Sequence, residues 1–466
     1  MRGIEVECNS AKYVDKIRWE KTRIEKRLGP TYVFIILLWM LLLPGPRPIF
    51  AVDRFPRPEF ETDYPLPGIT APEPRSGFYA YLDVGLLIAC LVLATYLAMK
   101  RRTRAGIFLL MLFSLFYFGF WRKGCVCPVG SIQNIVLVFF DPSYRIPLTV
   151  VAFFVLPLIF TLFFGRTFCA AVCPLGAIQD VFVLQPVRVP LWIAQPLGLL
   201  PYIFLGLAVL SAATGSGFLI CRFDPFVGIF HVSGHFGMLI FGAGLLILGI
   251  FVARPYCRFL CPYGVLLKWV SRFSKWHVRI SPDECIECRL CEDSCPFGAI
   301  LKPAPDRVPE NNLTGIRRLL ILLLLLPVLI LGGGFLGSRL NLSLSRINRT
   351  VLLADQVMIE DRGLVDDTTL DSRIFRETGK PKAELFQQAL SIREQFRGGG
   401  FIFGGFLGLV FSIKLIELSI RRKRKTCEPD RASCISCGRC FNCCPKEQAR
   451  RRELRNTQKE GILPYF

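Results

Sequence analysis

Long apolar blocks separated by short charged stretches constrain this chain more than any other feature. They run from Thr31 to Leu43, then from about Phe78 to Ala98, Ala105 to Trp121, Leu148 to Phe164, Leu199 to Ala213, Gly237 to Ala253, Leu319 to Leu336 and Phe401 to Ile420. A water-soluble core does not require apolar runs of this length, whereas runs of about 20 residues match the hydrocarbon thickness of a bilayer. The expected fold is an all-α integral membrane protein of about eight transmembrane helices. The first block is short and is interrupted by Pro44-Gly45-Pro46. No small-x-small cleavage site follows it, so it reads as an uncleaved anchor.

Charge orients these blocks. The formal net charge is +21, a surplus that also fits a nucleic-acid binder, so the position of the basic residues decides. Most flank apolar blocks, as in Lys100-Arg101-Arg102, Arg317-Arg318 and Arg421-Arg422-Lys423-Arg424-Lys425. That is the positive-inside distribution and not a nucleic-acid patch. With the N-terminus inside, Arg101 to Arg104, Arg254 to Arg279, Arg317 and Arg421 to Lys425 all fall in the cytoplasm, and the C-terminus returns there. The expected setting is the cytoplasmic (inner) membrane of a prokaryote, crossed several times, with both termini cytoplasmic and lipid as a partner.

The chain then divides into a basic cytoplasmic N-terminus (1–30), two transmembrane helices with an outer loop (31–100) and a four-helix membrane core with Cys-Pro motifs (101–280). A first ferredoxin-like run (281–310), a transmembrane helix (316–337), an extracytoplasmic helical segment (338–400), the last transmembrane helix (401–420) and a second ferredoxin-like run (421–466) follow. Within the outer segment, Ala383-Glu384-Leu385-Phe386-Gln387-Gln388-Ala389-Leu390 has helical spacing, and Gly398-Gly399-Gly400 is expected to hinge it to the last span.

The chemistry lies in the 19 cysteines. In a chain this long, clusters at two- or three-residue gaps suit metal ligation better than disulfides. Cys285, Cys288, Cys291 and Cys295, followed by Pro296, have the spacing of bacterial [4Fe-4S] ferredoxins, in which the fourth cysteine ligates the other cluster. Cys434, Cys437, Cys440 and Cys444, followed by Pro445, repeat it. Zinc modules usually use two CxxC pairs set well apart. The topology brings both runs to the cytoplasmic side as the halves of one split ferredoxin. The expected ligand sets are Cys285, Cys288, Cys291 and Cys444 for one [4Fe-4S] cluster, and Cys434, Cys437, Cys440 and Cys295 for the other. Cys443 is the competing ligand to Cys444. Cys8, Cys90 and Cys427 are isolated and read as structural.

Two further pairs, Cys169-x3-Cys173-Pro174 and Cys257-x3-Cys261-Pro262, follow inner span ends and offer four thiolates for a further iron-sulfur or metal site; packing cysteines are the alternative. The stretch Cys127-Pro128-Val129-Gly130-Ser131-Ile132-Gln133-Asn134 matches Cys173-Pro174-Leu175-Gly176-Ala177-Ile178-Gln179-Asp180. The topology makes this an inverted internal repeat. Cys125, Cys127 and Cys221 form the corresponding outer set, with Asp224, His231 and His235 near in sequence. The two histidines share helical spacing for haem or quinone contact, although interface anchoring is commoner, and Trp276 and His277 also read as interface residues. No GxGxxG, P-loop or nucleophile arrangement argues for hydrolysis or group transfer.

The stretch from about Phe116 to Ile300 resembles the NosR/NapH-type membrane polyferredoxins. The likeness rests on Gly165-Arg166-Thr167-Phe168-Cys169-Ala170-Ala171-Val172-Cys173-Pro174-Leu175-Gly176, on Arg254-Pro255-Tyr256-Cys257-Arg258-Phe259-Leu260-Cys261-Pro262, and on the ferredoxin run that follows. It implies a multi-span core and two [4Fe-4S] clusters, serving electron flow between the quinone pool or cytoplasm and extracytoplasmic reductases or their maturation. The Ser/Thr-Gly-Ala-Thr motif that carries covalent FMN in NosR-like members is absent, and Thr214-Gly215-Ser216-Gly217 does not replace it. The first pair is also Cys125-x-Cys127, and two spans split the ferredoxin halves.

Three functions fit. The first is an electron-transfer subunit serving an extracytoplasmic flavoprotein, cytochrome or reductase, with flavin or haem on that partner only. The second is a quinol dehydrogenase in its own right. The third is a redox-sensing or metalloenzyme assembly factor.

Overall fold

The computed structural model describes residues 77–124, 127–184, 186–187, 189–231, 236–280, 288–301, 312–365, 368–419, 427–450 and 453. The block from Thr31 to Leu43 lies outside them. Helix α1 (Gly77–Tyr96) continues through a π-helical turn to Arg101, and α2 (Arg104–Ser114) continues likewise to Trp121. Then come α3 (Pro128–Phe140), α4 (Leu148–Phe164), α5 (Thr167–Ala171), α6 (Pro174–Val181), α7 (Leu191–Leu197) and α8 (Leu200–Ala213). The core closes with α9 (Leu219–Phe223), α10 (Pro225–His231), α11 (Phe236–Phe251), α12 (Pro255–Phe259) and α13 (Pro262–Ser271).

Among the described residues, five helices are long and apolar enough to cross a membrane: Gly77–Arg101, Arg104–Trp121, Leu191–Ala213, Gly315–Arg339 and Lys382–Ser419. Taking α10 and α11 as one bent span makes six. The blocks expected to span at 148–164 and 237–253 form α4 and α11, of 17 and 16 residues. The Gly315–Arg339 span buries only 6% of its most apolar stretch, and Leu324, Val328 and Leu331 are more than half exposed. Such a surface is stable against lipid and not against water.

Four short helices of the core each begin with proline. Proline occupies the first turn of α3, α6, α10 and α13, directly after Cys127, Cys173, Asp224 and Cys261. Proline suits that position because its fixed φ is helical and its missing N–H has no partner there. These are half-helices. The start of α13 stands beside the middle of α4, where the Tyr263 hydroxyl donates to Phe154 O at 2.7 Å.

The remaining described elements follow in sequence. The first ferredoxin-like run supplies α14 (Leu290–Ser294) and β1 (Ile300–Leu301). Next come α15 (Asn312–Arg339), α16 (Asn341–Ser345), α17 (Arg349–Asp361), α18 (Leu370–Glu377) and α19 (Lys382–Ser419), and the second run supplies β2 (Glu428–Pro429) and α20 (Arg439–Cys443).

The glycines at 398–400 do not form the expected hinge, since α19 is one helix of 38 residues passing through them. Their neighbours serve close packing instead. Gly333 and Gly337 of α15 face Gly400, Gly404 and Gly408 of α19 at four-residue spacing, and a Cβ at Gly400 would lie 2.6 Å from Gly337 O. Backbones approach this closely only where side chains are missing, as at the small-residue interfaces of membrane helices. Packing against α15 holds the run helical despite its low propensity.

Candidate functional site

The two ferredoxin-like runs, far apart in sequence, form one module. Strands β1 and β2 pair antiparallel with Ile300 opposite Pro429, α14 packs on α20, and Asp430 N donates to Ala299 O at 2.7 Å. The runs fold alike: a left-handed residue, Arg289 (φ 58°) or Gly438 (φ 75°), turns the chain into a short helix that ends at Cys295 or Cys444. Cys291, Ile300 and Cys427 are buried together, with Cys295 and Cys440 against them.

Cys291 and Cys295 of the first run both come near thiols of the second. Cys440 is within electrostatic range of Cys437, Cys434, Cys295 and Cys291, and Cys434 of Cys437 and Cys295. Burial pushes the Cys434 thiol up to about 12 and raises Cys295 and Cys440 as well. These thiols ionise readily only when a bound cation offsets their desolvation, as thiolate-ligated iron does. Cys288 is exposed, and Cys443 and Cys444 are half-buried. Cys285 lies outside the described residues. Among the described residues, no three His, Cys, Asp or Glu side chains converge as ligands of a single metal ion. The ligands of a cubane sit on separate irons and therefore stand farther apart.

The module docks on the core through polar contacts. The Ser271 hydroxyl donates to Arg431 O at 2.6 Å, Arg104 to Cys437 O at 3.4 Å, and Arg102 pairs with Glu447 at 3.0 Å. At the centre is Asp180, 3% exposed. It pairs with Arg254 at 3.3 Å, Arg439 at 3.3 Å and Arg104. Burial pushes the Asp180 carboxyl up, but the three guanidiniums more than reverse this and hold it below the usual carboxylate range. One carboxylate thus joins α2, α6, the loop before α12 and α20.

Between module and core lies a cavity of about 300 Å³, reached by Cys169, Cys257 and Cys261 and by the cations Arg166, Arg254 and Lys268. Thiols in cationic surroundings suit an anionic, thiolate-ligated group. Several sulfurs already accept hydrogen bonds: from Gly264 N to Cys261 at 3.3 Å, from Gln179 Nε2 to Cys257 at 3.3 Å and from Ala299 N to Cys295 at 3.4 Å. Arg166 bridges the two regions, donating to Ala432 O at 3.2 Å and to the Cys169 sulfur at 3.8 Å.

Cys127, expected at the outer span ends, stands within electrostatic range of Cys173 and Cys261. Cys221 is exposed and lies near Cys127, while Cys125 and His235 lie outside the described residues. His231 ends α10, and Trp276 stacks on Phe164 at 5.5 Å, as an interface anchor would.

Sequence reasoning missed the roles of Asp180, Arg166, Arg254 and the pair Gln133 and Gln179. The signal was present: both glutamines and Asp180 stand in the aligned repeat, and both arginines in the stretches that carry the family likeness.

Comparison with known proteins bears on these residues. A 4Fe-4S binding domain family, Fer4_5, matches residues 146–188 and 234–281, which contain both CxxxCP pairs. A second 4Fe-4S binding domain family, Fer4, matches residues 278–301 and so the first run. A protein of Escherichia coli (strain K12) named for electron transport, YccM, is 36% identical over 73 residues, 16% of this chain and 18% of its own length. An uncharacterized protein of Methanocaldococcus jannaschii is 36% identical over 66 residues, 14% of this chain and 27% of its own length. NirI of Paracoccus denitrificans is 29% identical over 123 residues, 25% of this chain and 18% of its own length. The chain thus matches about a quarter or less of these relatives. No solved structure matches it. The chain is an iron-sulfur protein of membrane type, joining 4Fe-4S binding domains to several apolar helices long enough to span a bilayer.

Proposed function

We propose that this chain is a membrane electron-transfer protein of the NosR/NapH type, connecting the cytoplasm or quinone pool to an extracytoplasmic redox partner. Cys285, Cys288, Cys291 and Cys444 hold one [4Fe-4S] cluster of the ferredoxin module, and Cys434, Cys437, Cys440 and Cys295 hold the other. Cys169, Cys173, Cys257 and Cys261 hold a further cluster within the core. When bound, the clusters supply one-electron chemistry; flavin or haem belongs to the partner.

The observation that carries this reading is the position of Cys295 among Cys434, Cys437 and Cys440, the exchange of fourth ligands that two-cluster ferredoxins use. The chain's residues do the rest. Arg166 and Asp180 hold the module against the loops of the CxxxCP pairs. Hydrogen bonds from Gly264 and Gln179 to the sulfurs tune potential.

Iron and sulfide quantitation with EPR on anaerobically purified, reduced protein tests the assignment. More than about eight irons per chain is expected, with a signal that disappears in Cys169→Ser or Cys257→Ser; about eight would confine the clusters to the module. Cys444→Ser should abolish the signal of the first run, and an effect confined to the second run would rule the crossover out.

The cavity favours a second reading. Tyr202, Pro201 and Val265 line it beside the cations, and its volume suits a quinol headgroup oxidised there. Oxidation of a quinol analogue to its quinone by the purified, oxidised protein without any partner, with the clusters taking up the electrons, would select this reading.

A further inference from the structure

The half-helices repeat in their hydrogen bonding as well as in their sequence. Gln133 stands six residues after Cys127, and its Oε1 accepts from Ile220 N at 2.8 Å. Gln179 stands six residues after Cys173, and its Oε1 accepts from Tyr256 N at 3.0 Å. Each N–H belongs to the residue directly before a cysteine, Cys221 in one case and Cys257 in the other. Cys221 therefore stands to the Cys127 helix as Cys257 stands to the Cys173 helix. The third correspondence is Asp224-Pro225 with Cys261-Pro262, each opening its half-helix.

This second set has the features of a built site. Asp224 is 2% exposed, and its Oδ1 accepts from Phe226 N at 3.0 Å, which fixes the carboxylate in the turn before α10. Asp224 is the foremost charge acting on Cys127, and Cys221 also acts on it. Gly130 stands beside the Cys221 sulfur, where a Cβ would lie at 3.5 Å, in ordinary contact. Gly264 occupies the same relation to the Cys261 sulfur, at 3.6 Å. The residues lie outside the segments matched by the 4Fe-4S binding domains.

We infer that Cys127, Cys221 and Asp224 hold a second iron-sulfur cluster inside the membrane core, related by the repeat to the one at Cys169, Cys173, Cys257 and Cys261 and resting on that assignment. The aspartate replaces a thiolate at one iron. A hard oxygen ligand holds iron less firmly than sulfur does, so the iron at Asp224 is the labile one. With Cys127 close to Cys173 and Cys261, the two sites extend one electron path away from the ferredoxin module.

The test compares iron content and EPR of the anaerobic, detergent-purified full chain across variants. Because Cys221 is exposed, Cys221→Ser leaves the packing of the core intact. It should lower the iron content of the chain while leaving the ferredoxin signals unchanged. Asp224→Cys should keep the iron and alter the spectrum of this cluster, and it should slow iron loss to a chelator. Cys257→Ser, run in parallel, separates the two assignments. Iron lost in Cys257→Ser but retained in Cys221→Ser would overturn the second cluster and leave the first standing. Iron retained in both would remove the first cluster and with it the second.

Discussion

Replacing Asp180 by Asn retains the shape of the side chain and removes the charge that three guanidiniums share. Arg254 is 1% exposed and has its one carboxylate contact at Asp180 among the described ion pairs. Removing one partner of such a buried pair costs about 3–5 kcal/mol, because the remaining charge stays in a low-dielectric site without compensation. Arg104 and Arg439 reach water and add up to about 1 kcal/mol each. Most of the expected loss, about 4 kcal/mol, therefore comes from Arg254. Thermal unfolding in detergent, followed by cluster absorbance and tryptophan fluorescence, measures it. Absorbance should decline first, since Arg439 stands between Cys437 and Cys440 and loses its anchor on the core. The folded-state carboxyl lies below its unfolded value near 3.9, so its contribution is complete above that value and disappears only as pH falls through the folded one. The deficit at about pH 6 should equal that at about pH 8. An Asp180→Asn protein with an unchanged midpoint and full iron would refute the role given to this contact.

Two further outcomes are expected. Gly404→Ala places a methyl group against the backbone of Gly333 and should destabilise the α15 and α19 pair by about 1–3 kcal/mol; Gly332→Ala, which meets nothing within 4 Å, should be neutral by the same thermal assay. Removing iron with a chelator should speed proteolysis within both ferredoxin-like runs, where Cys291, Ile300 and Cys427 are buried together among the described residues and the thiols would lose the metal that holds them, and unchanged cleavage there would contradict the dependence of these runs on metal.

The residues divide by the range of the forces that place them. Apolar runs such as Leu319 to Leu336, the three-residue steps of Cys285 to Cys291 and the proline after Cys173 act within a turn or two of their own chain. Membrane character, cluster chemistry and the starts of the half-helices could therefore be read directly from sequence. The continuity of α19 could not, because glycine disfavours helix locally and only the close approach of Gly333 and Gly337 holds those residues helical. Only the tertiary fold set three arginines around Asp180. Those contacts join residues from 74 to 259 positions apart, and their energy comes from pairing buried charge, which no local pattern encodes.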